Sequence, residues 1–264
     1  MATVRINDDT GLRIGALCIH ALFNACRLLS AQLAALHWLA LRAGLCSTST
    51  CLYRAPSGLY RTLERIWFTL ALRRALILAV KTPLRGATLN LVKETIPAPL
   101  HGACIIAIPH SPWMRLLAEW CREREFALVL AGGIWTSRTM QVNVAGGVRG
   151  LRQAIRHLRA GGRVVVVADV FWGPRHCPVR FLGKNLPASL TPARLSALSG
   201  VPLQAVVPML HDGRIHLDTG PGFVVAHHPA AQAAVTCSLL AFLERRIRQQ
   251  PEIYNHILKI RGTI

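Results

Sequence analysis

Acidic residues are scarce in this chain: 12 Asp and Glu face 31 Lys and Arg over 264 residues, a formal net charge of +19. So few carboxylates leave the positive field uncompensated. The expected counterpart is therefore acidic: nucleic acid, anionic lipid headgroups or an acidic carrier protein. The features that select nucleic acid are missing. The arginines are spread through apolar stretches, with no zinc-finger spacing, RNA-binding aromatic signature or basic tail, so no nucleic-acid partner is expected. None of the eight cysteines forms a CxxC pair, and His176-Cys177 has no second pair at ligand spacing. Reduced structural thiols and no metal are expected. The Gly-Gly pairs at 132–133, 146–147 and 161–162 fit neither GxxxxGK[ST] nor GxGxxG. They read as turns, and no nucleotide or other cofactor is expected.

Apolar residues make up 52% of the chain and charged ones 16%, greasier than a soluble domain but short of a polytopic membrane protein. Residues 1–83 read as a membrane-associating helical region. Apolar runs at 14–26 and 28–41 are separated by Arg27, and neither alone spans a bilayer. Joined as one helix they are long enough to cross, but Arg27 then sits near the bilayer centre at a cost of about 2.5–3.5 kcal/mol. A tilted interfacial helix is cheaper. A signal peptide is the other reading of this start, but no small-residue cleavage site followed by a polar mature domain supports it. Residues 60–81 set apolar residues at helical spacing and interrupt them with Arg61, Arg65, Arg73 and Arg74. That basic amphipathic pattern, with Trp38, Trp67 and Phe68 nearby, favours membrane contact over helices that merely cover a sheet.

After Pro83 short β-rich runs alternate with helical ones, predicting one α/β domain over 84–264: a mostly parallel central sheet flanked by helices and preceded by apolar, basic helices. Strands are predicted near 87–93, 103–108, 126–131, 163–168, 203–208 and 214–219, and helices over 112–123, 147–160, 190–199 and 230–249. Ser111-Pro112 supplies an N-cap and a first-turn proline, so His110 falls at a strand-to-helix corner. The strand RVVVVAD delivers Asp169 to an equivalent strand end. Open α/β sheets bind ligands at that edge.

Four segments together resemble the late acyltransferases of lipid A biosynthesis, within the lysophospholipid acyltransferase superfamily. They are IIAIPH, GLRQAIRHLRAGGRVVVVAD, GPRHCPVRFLGKNLPASLTPARLSALSGVPLQAVVPM and ERRIRQQPEIYNHILKIR, spread over roughly residues 100–260. GPR, FLG and PEIY look like that family's landmarks, whereas the PEG box of the glycerol-3-phosphate branch is absent. The resemblance implies a glycerolipid acyltransferase-like fold. It also implies transfer of a fatty acyl group from acyl-carrier protein or acyl-CoA to a hydroxyl of a lipid or glycolipid, at the cytoplasmic face of a bacterial inner membrane rich in anionic lipids.

Acyl transfer from a thioester needs a base for the hydroxyl proton, a group that orients the base, and donors for the developing oxyanion. The resemblance makes His110 the base and asks for an acid five positions later. Position 115 is arginine instead. Three readings stay open: another carboxylate orients His110, Asp169 first and Glu119 next; His110 works without a partner; or the chain is a catalytically impaired lipid-binding or scaffold homologue. Arg115 suits a phosphate of donor or acceptor, or is a solvated helix charge. Arg175 and Arg180, following Asp169, are implied acceptor-site arginines, and Arg138 is a further candidate for substrate contact. His176 reads as a loop residue, and His101, His157, His227 and His228 as surface or structural histidines.

Overall fold

A computed structural model describes residues 8–42, 58–93 apart from 80 and 83, 102–120 apart from 115, 118 and 119, 127–130, and 143–254 apart from 146, 172–174 and 213. Two long helices come first, α1 (Asp8–Arg42) and α2 (Leu59–Ala79). The two apolar runs on either side of Arg27 form one continuous helix, and Leu17–Ala40 within it is long and apolar enough to cross a membrane. Length and composition alone do not separate such a helix from a buried core helix or a signal sequence.

A short α3 (Arg85–Leu89) leads into β1 (Val92–Lys93). The strand predicted over 87–93 is thus helix as far as Leu89 and strand only at Val92–Lys93. Thr88 explains the difference: its N–H and its hydroxyl both donate to the Leu84 carbonyl, at 2.9 and 2.8 Å, closing a helical turn where the apolar pattern alternates. The sheet continues with β2 (Cys104–Ile108), β3 (Ala127–Leu130), β4 (Asn143–Ala145), β5 (Arg163–Val167), β8 (Leu203–His211) and β9 (Arg214–Phe223). Their order is β1-β9-β8-β2-β5-β3-β4. The strands β8, β2, β5, β3 and β4 run parallel; β9 is antiparallel to β8, and β1 is parallel to β9. β2 is buried at every position and β5 at all but its first, as expected for central strands covered on both faces.

Helices α4 (Gly147–Arg159), α5 (Thr191–Ser199) and α6 (Pro229–Gln249) complete the layers. Gly161, at φ 89°, ends α4 with bonds from Gly161 N–H to Leu158 and Gly162 N–H to His157, the turn expected of that glycine pair. One predicted loop is a hairpin, β6 (His176–Phe181) with β7 (Lys184–Ser189), so His176 is an exposed strand residue rather than a loop residue. Pro178 and Pro187 oppose each other in it, and this two-stranded sheet accommodates them because, among the described residues, no further strand pairs with it there. The turn puts Leu182 at φ 50° and Gly183 at φ 83°. A leucine there costs about 1–3 kcal/mol, offset by burial of its side chain in the core. His228 caps α6 through Nδ1, accepting from Ala231 N–H at 3.1 Å.

The apolar faces of the sheet form two clusters. α2 reaches both, through Leu63 and Ile66 on one side and Leu72 and Leu76 on the other, while α1 adds Ala34 to the first and Ile19 and Phe23 to the second. Trp67 and Phe68 are spent partly on joining the two helices: Trp67 Nε1 donates to His37 Nδ1 at 3.3 Å, and Phe68 packs on Phe23 at 6.0 Å. Arg42 lies over Trp38 at 4.1 Å. Several leucines of α1 stay exposed. Leu17, Leu28 and Leu39 recur every eleven residues, three helical turns, and so share one face.

Candidate active site

The parallel register of β2 and β5 builds the site. Ile108 pairs with Val167, and Ala168 N–H bonds to the Ile108 carbonyl at 2.8 Å. Two residues past each strand end, His110 and Asp169 therefore emerge side by side. Asp169 holds His110 twice: its Oδ1 accepts the His110 backbone N–H at 2.8 Å, and its Oδ2 lies 2.9 Å from His110 Nδ1. This second contact is within hydrogen-bond distance. The Asp169 side chain is 0% exposed and that of His110 28%, so the acid is sealed and the imidazole keeps an opening.

Ser111 turns the chain into the following helix. Its buried hydroxyl accepts the Trp113 N–H at 3.1 Å and its carbonyl the Met114 N–H at 3.2 Å; the described residues at 114, 116, 117 and 120 are helical. Replacing Ser111 by Ala is expected to cost about 1 kcal/mol of stability, read as a lowered urea midpoint with unchanged slope.

A third residue completes the group. Tyr254, in the PEIY segment just past the 3₁₀ turn Pro251–Ile253, is 5% exposed and hydrogen-bonds Asp169 through its hydroxyl. Burial, and then the Asp169 charge and hydrogen bond, push its phenol well above the ordinary range, so it stays a donor. Its ring stands edge-on to Phe181 at 6.1 Å, and Phe181 in turn meets Phe171 at 5.4 Å. Glu252 in that 3₁₀ turn pairs with Arg65 of α2 at 3.7 Å. The loop after Asp169 is tied down by Ser189 N–H to the Val170 carbonyl and Leu190 N–H to the Arg175 carbonyl.

The electrostatics follow from this packing. Burial works to lower the His110 pKa, but the hydrogen bond and charge of Asp169 together exceed it, leaving the imidazole above its ordinary value. With Nδ1 against the carboxylate, Nε2 is the nitrogen able to take a proton from a hydroxyl.

Of the sequence-predicted residues, His110 and Asp169 are brought into contact. Arg175 and Arg180 are exposed, one just before β6 and one within it. Arg115, Glu119 and Arg138 lie outside the described residues, as does His101. Two residues escaped sequence reasoning. Tyr254 was visible as part of PEIY, but its role depends on a contact spanning 85 positions. Arg194 of α5 has its guanidinium pKa lowered by burial and, second, by the charge of Arg175 nearby; only its place in the segment TPARLSALS marked it.

The family described as bacterial lipid A biosynthesis acyltransferase matches residues 121–260, just over half of the chain. This span includes Asp169, Arg175, Arg194 and Tyr254; His110 precedes it. No curated protein matches the chain significantly.

Proposed function

Since the chain belongs to the bacterial lipid A biosynthesis acyltransferase family and is thus an acyltransferase, we propose that His110 is its general base and Asp169 the acid that orients it. The fatty acyl group comes from an acyl thioester, acyl-carrier protein or acyl-CoA, and goes to a hydroxyl of a lipid or glycolipid at the cytoplasmic face of the inner membrane. The observation that carries this reading is the doubly held His110–Asp169 pair, sealed on the acid's side and open on the imidazole's.

In the reaction, His110 Nε2 takes the proton of the acceptor hydroxyl as its oxygen adds to the thioester carbonyl. The resulting tetrahedral centre collapses, the C–S bond breaks, and the imidazolium returns the proton to the departing thiolate. Oxygen gains the acyl group, sulfur gains the proton, and no oxidant or metal enters the balance. Asp169 stabilises the imidazolium that exists between the two transfers, a task the absent acid at position 115 otherwise fulfils in the resembling family. The His110–Asp169 contact favours this first reading over a base without a partner or a non-catalytic scaffold.

Tyr254 acts through Asp169 as a positioning residue. Tyr254→Phe removes a hydrogen bond to a charged acceptor, the class worth about 1.5–3 kcal/mol. The expected result is kcat reduced roughly 10-fold with KM nearly unchanged and the acid limb of the pH profile displaced; a purely structural role leaves that limb in place. Arg175 and Arg180, both exposed beside the Asp169 loop, are assigned to a phosphate of the acyl donor's arm or of the acceptor. Residues 1–83 serve as the membrane-associating region, with the Leu17, Leu28 and Leu39 face of α1 toward lipid.

The test is incubation of the purified protein with labelled acyl-carrier protein or acyl-CoA and a bacterial lipid extract. Labelled lipid formed by the wild type supports the proposal; no transfer with either donor contradicts it.

A further inference from the structure

Arg27 is the residue that a membrane-crossing or membrane-lying α1 has to account for, and its side chain finds a cavity. Within the helix, His20, Asn24 and Arg27 recur at four- and three-residue spacing, a polar stripe along a largely apolar stretch. All three line a cavity of about 550 Å³ bounded by α1, the α3–β1 segment and the β8–β9 turn, where Asp212 and Arg214 lie across from them. Ile19 and Phe23, both buried in the core cluster that contains Ile108, supply its apolar wall. Neither Arg27 nor Arg214 has a carboxylate partner among the described residues. The one acid in the lining, Asp212, is already engaged by His211 at 3.2 Å.

We propose that this cavity binds the phosphate headgroup of an anionic membrane phospholipid. Two guanidiniums facing one space suit phosphate oxygens, the apolar wall suits the first carbons of the tails, and an arginine inside a hydrophobic helix marks a ligand site when it faces a cavity rather than lipid. The exposed Leu17, Leu28 and Leu39 face adjoins the polar stripe on the same helix, so a lipid in the bilayer reaches the cavity sideways. The cavity shares no lining residue with His110, Asp169 and Tyr254, and the proposal stands whether or not the acyl-transfer reading does.

The experiment measures binding of dioctanoyl phosphatidylglycerol to the full chain in neutral detergent, against dioctanoyl phosphatidylcholine and inorganic phosphate. Phosphatidylglycerol is expected to bind at least 10-fold more tightly than either. Arg27→Ala and Arg214→Ala should each weaken it about 10-fold, Arg27→Lys less, while Asp212→Asn tightens it and His110→Ala leaves it unchanged. Both arginines are exposed, and the thermal melt of each variant verifies that it folds. Equal binding of phosphatidylcholine, inorganic phosphate that competes as well as the lipid, or arginine variants that bind like wild type would each overturn the proposal. Weaker binding by Asp212→Asn would also overturn it, because it would make the site a cation site.

Discussion

Replacing His110 by alanine should lower kcat for acyl transfer about 10²–10⁴-fold, the range a positioned base contributes, while the protein stays folded. The side chain that is lost is 28% exposed and is not part of the packed clusters, so the apolar core on either side of β2 is left intact. Removal of the imidazole does leave Asp169 with one partner fewer in a sealed position, although the backbone N–H at position 110 and Tyr254 continue to donate to it. The check is a rate measurement with labelled acyl thioester alongside a thermal melt. A folded variant that retains wild-type turnover contradicts the assignment, because a residue that only caps or packs carries no such rate effect.

Asp169→Asn should have the second largest effect, and its signature lies in pH. In the wild type, burial lowers the His110 pKa and Asp169 more than restores it, leaving the net value above 6.5. General-base catalysis needs the neutral ring, so kcat/KM should rise with pH through a limb above 6.5. With asparagine the charge is gone and burial remains, so the limb should fall below 6.5. The plateau rate should also drop, by roughly 10²-fold at the lower end of what a general base supplies, because the tautomer with Nδ1–H is no longer selected. The same shift has a consequence for stability. A raised folded-state pKa means that the pair's contribution is complete below 6.5 and is lost as pH rises through the folded value. Asp169→Asn should therefore cost more stability at pH 6 than at pH 9.

The strand-helix corner at His110 was legible because its signals are local: a run of β-branched residues, then Pro, then Ser-Pro as a stop and a start. Asp169 was legible as a strand end for the same reason. The sequence does not contain the register that sets Ile108 against Val167, and that register turns two strand ends into a contact of 2.9 Å. Tyr254 was beyond reach for a related reason. It joins the site from the chain's far end through an aromatic stack with Phe181 and Phe171, which no periodicity encodes. The β6–β7 hairpin was missed because Pro178 and Pro187 speak against strands, while its turn hides a left-handed leucine where Asn or Gly is the usual sign. At the amino end the two apolar runs were read correctly as greasy helix. That Arg27 lines a cavity opposite Arg214 depends on the tertiary placement of α1 and not on hydropathy.

The most direct measurement of the central claim is an NMR titration of the wild type with ¹⁵N-labelled histidine, the His110 signal being assigned by its loss in His110→Ala. The account predicts a neutral ring carrying its proton on Nδ1, a pKa above 6.5, and a fall below 6.5 in Asp169→Asn. A neutral ring protonated on Nε2, or a titration that Asp169→Asn leaves in place, would contradict it.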